Sequence, residues 1–355
     1  MIAIEKTREY KGKYHWFFGD TNKPGYPLGH YGMSGATSQK IENGGLNPDK
    51  GVDLTYFVDA AGFSRPMCPW GEPNMKWIDR VTVLRDKSGA ERMVARCARM
   101  KSLDEVRERT FVVYDDASNT FKSVTPLEGD DEPATGQSFP AKSDGVDYIY
   151  FAMPYPTVRV KADYESYINP AEYEFFSCLK DGGAYSKNDP ALDRDGGKLI
   201  WKWRKNTAPI TLARQKELLD AGGIKASEAW FKLSDAGSGK SIYGSSGTIQ
   251  FNAYRKRWIM LLNERLGTSM LGEVWYSESD SPEGPWEKAR KIVTHDKYSF
   301  YNVIHHPQFD QDGGKIIYFE GTYTVTFSGN TTPTPRYEYN QMMYRLDLSD
   351  PRLKF

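Results

Sequence analysis

Residues 81–97 read VTVLRDKSGAERMVARC, and residues 111–124 read FVVYDDASNTFKSV. In both, β-branched and aromatic residues flank a turn, Asp86 to Gly89 in the first and Asp115 to Asn119 in the second. The Gly, Asp or Asn in such a turn takes positive φ at low cost, which is the pattern of a β-hairpin. The unit returns in FNAYRKRWIMLLNE (251–264), turning at Arg255 and Lys256. It returns again in EVWYSESDSPEGPWEKA (273–289), turning at Pro282 to Gly284, and in HPQFDQDGGKIIYFEGTY (306–323), turning at Asp312 to Gly314. Hairpins spaced by about 45 to 65 residues, with no βαβ alternation, suit a sandwich or a propeller; four short strands with their turns consume about that length, which favours the propeller. The expected fold is all-β: a five-bladed β-propeller with blades near 10–66, 75–125, 144–205, 242–291 and 298–347, forming one domain over 1–355.

One convincing helix interrupts this pattern. TLARQKELLDAGG (211–223) has Thr211 as N-cap and Gly222 and Gly223 as its stop, and is expected to decorate a loop between blades. The acidic stretch 126–143, rich in Pro, Ser and Gly, reads as an exposed excursion between blades.

Composition agrees with strands and turns: aromatics are 14% of the chain, alongside 32 Gly and 20 Pro. Lys plus Arg equals Asp plus Glu at 47 each, with no long block of one sign, so a nucleic-acid partner is not expected. No apolar run approaches the roughly 18 residues that span a bilayer, so the chain is expected to be soluble and without a membrane partner. The abrupt start, with an aromatic strand by residue 14, is what removal of an export signal would leave. The expected location is secreted or periplasmic, with a cytoplasmic one kept open. Cys68, Cys97 and Cys178 are far apart and make no zinc spacing, so they read as buried small hydrophobes.

Three stretches carry a family resemblance. Trp16-Phe17-Phe18-Gly19-Asp20-Thr21 resembles a strand of the domain family of unknown function numbered 4185, which belongs with the five-bladed propeller glycosidases and includes endo-acting D-arabinanases. Ser279-Asp280-Ser281-Pro282-Glu283-Gly284-Pro285-Trp286 is similar to a blade turn of many family-43 glycoside hydrolases. The run from Tyr298 through Phe319-Glu320-Gly321-Thr322-Tyr323 to Tyr339-Asn340-Gln341 looks like the last blade of secreted members of that group. The resemblance implies a propeller that acts on carbohydrate, with no organic cofactor and room for a structural cation in the funnel.

Glycoside hydrolysis needs two carboxyl groups, one donating a proton to the leaving oxygen and one activating water or attacking directly. Asp20 is the first candidate for base or nucleophile, an acid in an aromatic strand of the first blade, where family-43 enzymes also place their base. Its bland role is a turn cap toward Thr21 and Asn22. Asp79, inside Trp77-Ile78-Asp79-Arg80-Val81, is placed to orient the acid, as a second-blade Asp does in that family. Alternation is expected to send Asp79 and Arg80 to opposite faces. Glu320 is the candidate general acid, since aromatic neighbours desolvate it; family-43 enzymes use a third-blade Glu, which Asp147 to Met153 lacks. Glu264 is the reserve.

Binding candidates follow from sugar chemistry, an apolar ring face with hydroxyls that need partners. They are Trp16, His30, Arg80, Asn252, Tyr301, Asn302, His305 and His306, with at most one of the two adjacent histidines expected to face the axis. No GxSxG elbow, P-loop, dinucleotide fingerprint or HExxH occurs, and no metal ligand set is assigned. The rival readings are a carbohydrate-binding propeller without catalysis and a scaffold for protein partners, the latter requiring exposed apolar patches.

Overall fold

The structure is a computed structural model that describes residues 4–19, 33–45, 47–71, 75–102, 105–128, 136–295, 297–334 and 339–355. The first blade holds β1 (Ile4–Tyr10), β2 (Lys13–Phe18), β3 (Ser34–Ser38) and β4 (Thr55–Tyr56). The second holds β5 (Lys76–Arg85), β6 (Glu91–Met100), β7 (Val106–Asp115) and β8 (Thr120–Leu127). The third holds β9 (Gln137–Ser143), β10 (Val146–Ala152), β11 (Pro156–Lys161) and β12 (Glu174–Ser177), with α1 (Tyr164–Tyr167) in between. A small hairpin, β13 (Arg194–Asp195) and β14 (Lys198–Leu199), then leads to β15 (Lys202–Arg204), which pairs with β12 as the outer edge.

After α2 (Leu212–Asp220) comes β16 (Ser234–Asp235), which pairs in parallel on the outside of the fourth blade. That blade is β17 (Gly244–Asn252), β18 (Arg257–Glu264), β19 (Glu273–Ser279) and β20 (Lys288–Thr294). The fifth is β21 (Ser299–His305), β22 (Ile316–Thr324) and β23 (Tyr339–Asp347). Within each blade the main strands follow in chain order and pair antiparallel. The leading strands touch in the sequence β1, β5, β9, β17, β21 and back to β1, which closes the ring of a five-bladed β-propeller.

The expected blades match this order, with differences that have a physical cause. The first blade begins at β1, not near residue 10, and β9 occupies the last seven residues of what read as an exposed excursion. Both are leading strands lined by charged and hydroxyl side chains, so hydrophobic patterning does not reveal them. The turns at Asp86 to Gly89, Asp115 to Asn119 and Arg255 to Lys256 are present, with Gly89, Asn119 and Lys256 at φ 83°, 51° and 54°. The helix is α2, capped by Thr211, whose hydroxyl accepts from the Arg214 N–H.

A blade stacked on two neighbours buries both faces, so its middle strands are apolar throughout, as in β10 and β18. Each pair of adjacent blades shares its own cluster. Phe17, Ile78 and Phe121 join blades 1 and 2; Phe111, Phe151 and Tyr173 join 2 and 3; Tyr150, Met260 and Trp286 join 3 and 4. Tyr276, Phe300 and Phe319 join 4 and 5, while Trp16, Phe309 and Tyr318 join 5 and 1. The last joint has no strand exchange among the described residues: it is packing plus contacts to Asp49, which accepts from the Tyr318 hydroxyl at 2.7 Å and pairs with Arg345 at 4.0 Å. The three cysteines are buried and free. No described helix is long and apolar enough to cross a membrane.

Candidate functional site

The leading strands enclose a central cavity of about 510 Å³ to which every blade contributes, among them Arg8, Thr82, Ser138, Thr248 and His305. Its wall is mixed: polar side chains of the leading strands, which have no neighbour at the axis to bury them, alternate with Val83, Ile149, Ile249 and Ile304.

Of the charged side chains of blades 1 to 3, Arg8 and Glu9 border the cavity, while Asp79, Arg80 and Arg96 form an ion-pair cluster that does not. Strand β5 carries a bulge between Asp79 and Thr82, with Arg80 at φ 56°. The bulge breaks the alternation expected for this strand, and Arg80 Nη1 turns back into an ion pair with the Asp79 carboxylate. Arg96, opposite Asp79 on β6, brings its Nη1 within 3.6 Å of the same carboxylate. Sequence reasoning separated Asp79 and Arg80; the extra residue of the bulge joins them. The Tyr167 hydroxyl, from α1, donates to the Arg80 carbonyl at 2.9 Å. Burial pushes Tyr167 well above the ordinary phenol range, and the nearby Arg80, Arg96 and Arg8 guanidinium groups pull the other way, so all three cations gather around this ring. Arg8 donates to the Thr7 carbonyl at 3.0 Å and to both the carbonyl and hydroxyl of Ser138 at 3.1 Å.

On the side of blade 5 the polar groups are imidazoles. His305 ends β21; its Nε2 lies 2.8 Å from Asp310 Oδ1, and its backbone N–H donates to the Thr248 hydroxyl at 3.2 Å. Both His305 and His306 border the cavity, contrary to the expectation that alternation would turn one away. The strand ends at His305, and His306, at φ −110° and ψ 80°, opens a short 3-10 turn with a different side-chain direction.

His306 Nε2 stands 2.9 Å from Glu320 Oε1, with both side chains almost fully buried. The Gln308 amide lies 3.2 Å from His306 Nδ1. With the amide nitrogen as donor, the ring proton sits on Nε2, which is close to Glu320 but not aligned for a hydrogen bond to it. Glu320 is 2% exposed and does not border the cavity, so it meets the channel only through His306.

The remaining candidates are scattered. Asp20 and His30 lie outside the described residues, although β2, which leads toward Asp20, ends at Phe18 opposite Ile4, where β1 begins. Trp16 is 1% exposed and donates through Nε1 to the Ser38 hydroxyl at 2.8 Å, packed against His306 and Phe309, so neither ring face is open to a ligand. Asn252 is buried in the turn after β17, where its amide donates to the Gly314 carbonyl and its oxygen accepts from the Arg255 N–H, both at 2.8 Å. Its polar atoms are used by the fold.

Tyr301 and Asn302 sit together in a second bulge, on β21, with Asn302 at φ 57° and the Tyr301 hydroxyl against that of Tyr339. Glu264, the reserve acid, ends β18 and accepts from Trp275 Nε1 at 2.8 Å. Arg8, Arg96 and Tyr167 were missed. The signal for Arg8 was present in IEKTREY (4–10), an alternation of polar and charged residues that makes a poor buried strand but a good channel lining. Among the described residues no group of three or more His, Cys, Asp or Glu side chains is arranged to hold a metal ion.

No protein-family model and no curated protein matches the chain. Solved structures do. A candidate hydrolase from Bacteroides ovatus ATCC 8483 matches with a TM-score of 0.54 at 11% identity, over 97% of this chain and 84% of that one. An exo-β-1,3-galactanase from Phanerochaete chrysosporium, solved with β-1,3-galactotriose, matches with a TM-score of 0.51 at 10% identity. The match covers 98% of this chain but 60% of the galactanase, so the chain spans well under two thirds of that protein. A thermostable family-43 glycoside hydrolase, at 13% identity and a TM-score of 0.41, is too remote to bear on the reading. At these identities the likeness is one of fold.

Proposed function

We propose that the protein is a glycoside hydrolase-like propeller that takes a furanose-containing or related polysaccharide into its central funnel, with Asp20 and Asp79 as working carboxylates. The observation that carries this reading is Asp79 on leading strand β5, held by Arg80 and Arg96 three residues before Thr82, where that strand meets the cavity. Such cationic partners suit a carboxylate that orients or activates, not one that gives up a proton. The fold supports the same reading, since it is the one in which the Phanerochaete galactanase was solved with an oligosaccharide. Within this reading Glu320 acts as a positioning residue for His306. The resemblance of the Trp16 stretch to the 4185 domain family, some of whose relatives are D-arabinanases, supports arabinan as one substrate to test, and a polysaccharide substrate fits a secreted or periplasmic protein.

The test is a reducing-end assay against arabinan, fructan, xylan and algal polysaccharides. The wild type is expected to turn over at least one of them. Asp20→Asn and Asp79→Asn are expected to lose activity by about 10² to 10⁴, the usual contribution of a positioned acid or base, while keeping the native circular dichroism. Equal rates in a folded variant would remove that residue from the chemistry.

The burial of Glu320 favours one further reading, a propeller that binds carbohydrate without cleaving it, because no proton donor then reaches a bound glycosidic oxygen from blade 5. Saturable binding with no turnover in the wild type would select it.

A further inference from the structure

We infer that Arg8 anchors an anion site in the central channel, which takes the carboxylate or sulfate group of an acidic sugar, or a free oxyanion of the same chemistry. The acidic-sugar form rests on the carbohydrate reading above; the anion site itself does not.

Four observations converge on Arg8. Its three hydrogen bonds go only to neutral oxygens, one of Thr7 and two of Ser138. No carboxylate among the described residues pairs with this partly buried side chain, whereas the buried arginines of blades 2 and 3 each have one: Arg96 has Asp79, Arg159 has Glu174, and Arg204 has Asp181 and Asp193. Arg8 also borders the cavity, and the volume there, about 510 Å³, is that of a small-molecule pocket. Hydroxyls able to donate to an oxyanion lie nearby: Thr82 and Thr248 border the same cavity, and the Thr7 hydroxyl is buried with no partner, while the one acidic residue among the described residues that borders it, Glu9, is paired with Lys40.

A cation removed from water without a counter-charge is costly, and native proteins offset that cost with a partner. Burial pulls Arg8 down to about 10, opposed only by Tyr167, as expected of a guanidinium that the protein itself does not neutralise. The planar five-donor fork of arginine matches carboxylate and sulfate, and three of its donors are already committed, which fixes the direction of the rest. Arg80 and Arg96, which do not border the cavity, share the single carboxylate of Asp79, so that cluster carries a net positive charge.

The test is the binding of sodium sulfate, galacturonate and neutral galactose to the full chain, by calorimetry and thermal melting at constant ionic strength set with potassium chloride. Sulfate or galacturonate is expected to raise the melting midpoint where galactose and chloride do not. Arg8→Gln is expected to weaken that binding at least tenfold, and Arg8→Lys less, since it keeps the charge and loses the fork. Should Arg8→Gln not fold, Thr82→Val removes a cavity hydroxyl without touching a charge and is expected to weaken binding several-fold.

A response to both anions, or to galacturonate alone, supports the acidic-sugar form; a response to sulfate alone supports the free-oxyanion form. An unchanged response in folded Arg8→Gln, or a wild type indifferent to both anions, overturns the inference. In that last case tight binding of a neutral oligosaccharide would leave the carbohydrate reading standing. Sulfate binding with no sugar bound at all would do the reverse.

Discussion

The two sides of the channel solve the same problem with different chemistry. Blades 1 to 3 bring Arg8, Arg80 and Arg96 around Tyr167, and these cations are permanent. Blade 5 brings His305 against Asp310 and His306 against Glu320, each imidazole beside a single carboxylate. One side sets two guanidinium groups on one carboxylate, and the other matches each imidazole with an acid of its own. Two acids that look alike in sequence, Asp79 and Glu320, therefore differ in use: one is gripped by cations on a leading strand, and the other is sealed behind an imidazole.

The largest effect is expected from breaking the blade 5 wall. Glu320→Ala leaves His306 buried without its partner and opens a void between blades 5 and 1, for a loss of about 3 kcal/mol by urea denaturation. A loss below about 1 kcal/mol would mean that the pair does not hold the wall, and the contrast with Asp79 would collapse.

Acid sharpens the contrast with a smaller effect. Burial lowers His295, on the blade 5 side, and His15, on the side of blades 1 and 2, relative to an ordinary imidazole. As pH falls below the unfolded value of about 6.5, the unfolded chain takes protons that the folded chain refuses. The stability associated with these groups is therefore full above that value and is lost as pH drops toward their folded values. His295 stacks on Phe300 at 4.3 Å with its Nε2 2.7 Å from the Tyr344 hydroxyl, so His295→Phe should flatten the dependence of the urea midpoint between pH 7.5 and 5.5. An equally steep dependence in that variant would assign the acid sensitivity elsewhere.

The smallest effect belongs to Gln308→Ala, which removes the contact to His306 Nδ1 and frees the ring tautomer. Its expected cost is about 0.5 kcal/mol, the value of a partly exposed hydrogen bond, with a visible change in the His306 imidazole signals by NMR. Unchanged signals would show that Gln308 does not set the tautomer.

The hairpins, the blade count and the single long helix were legible because each rests on local chemistry: a turn residue, a capping threonine, an apolar run of strand length. What escaped was the inner lining. β1 and β9 are polar for the reason that makes them interesting, since they face the axis and not a neighbouring blade. The pairing of Asp79 with Arg80 escaped because a bulge adds one residue to a strand, and nothing in Trp77 to Val81 marks where it falls. Arg8 was written in the sequence as plainly as any residue, but its isolation from carboxylates exists only once β1, β5 and β9 stand side by side.

The joint between blades 5 and 1 makes the ring a split washer. Four of its five joints are bridged by the chain itself, and the fifth is a clasp of rings with a phenol and a guanidinium on one carboxylate. Tangential slack in such a body gathers at the cut, so the bore of the channel widens or narrows there first. His306 and Glu320 lie against that cut, which makes the width of the passage and the wetting of this pair a single mechanical variable.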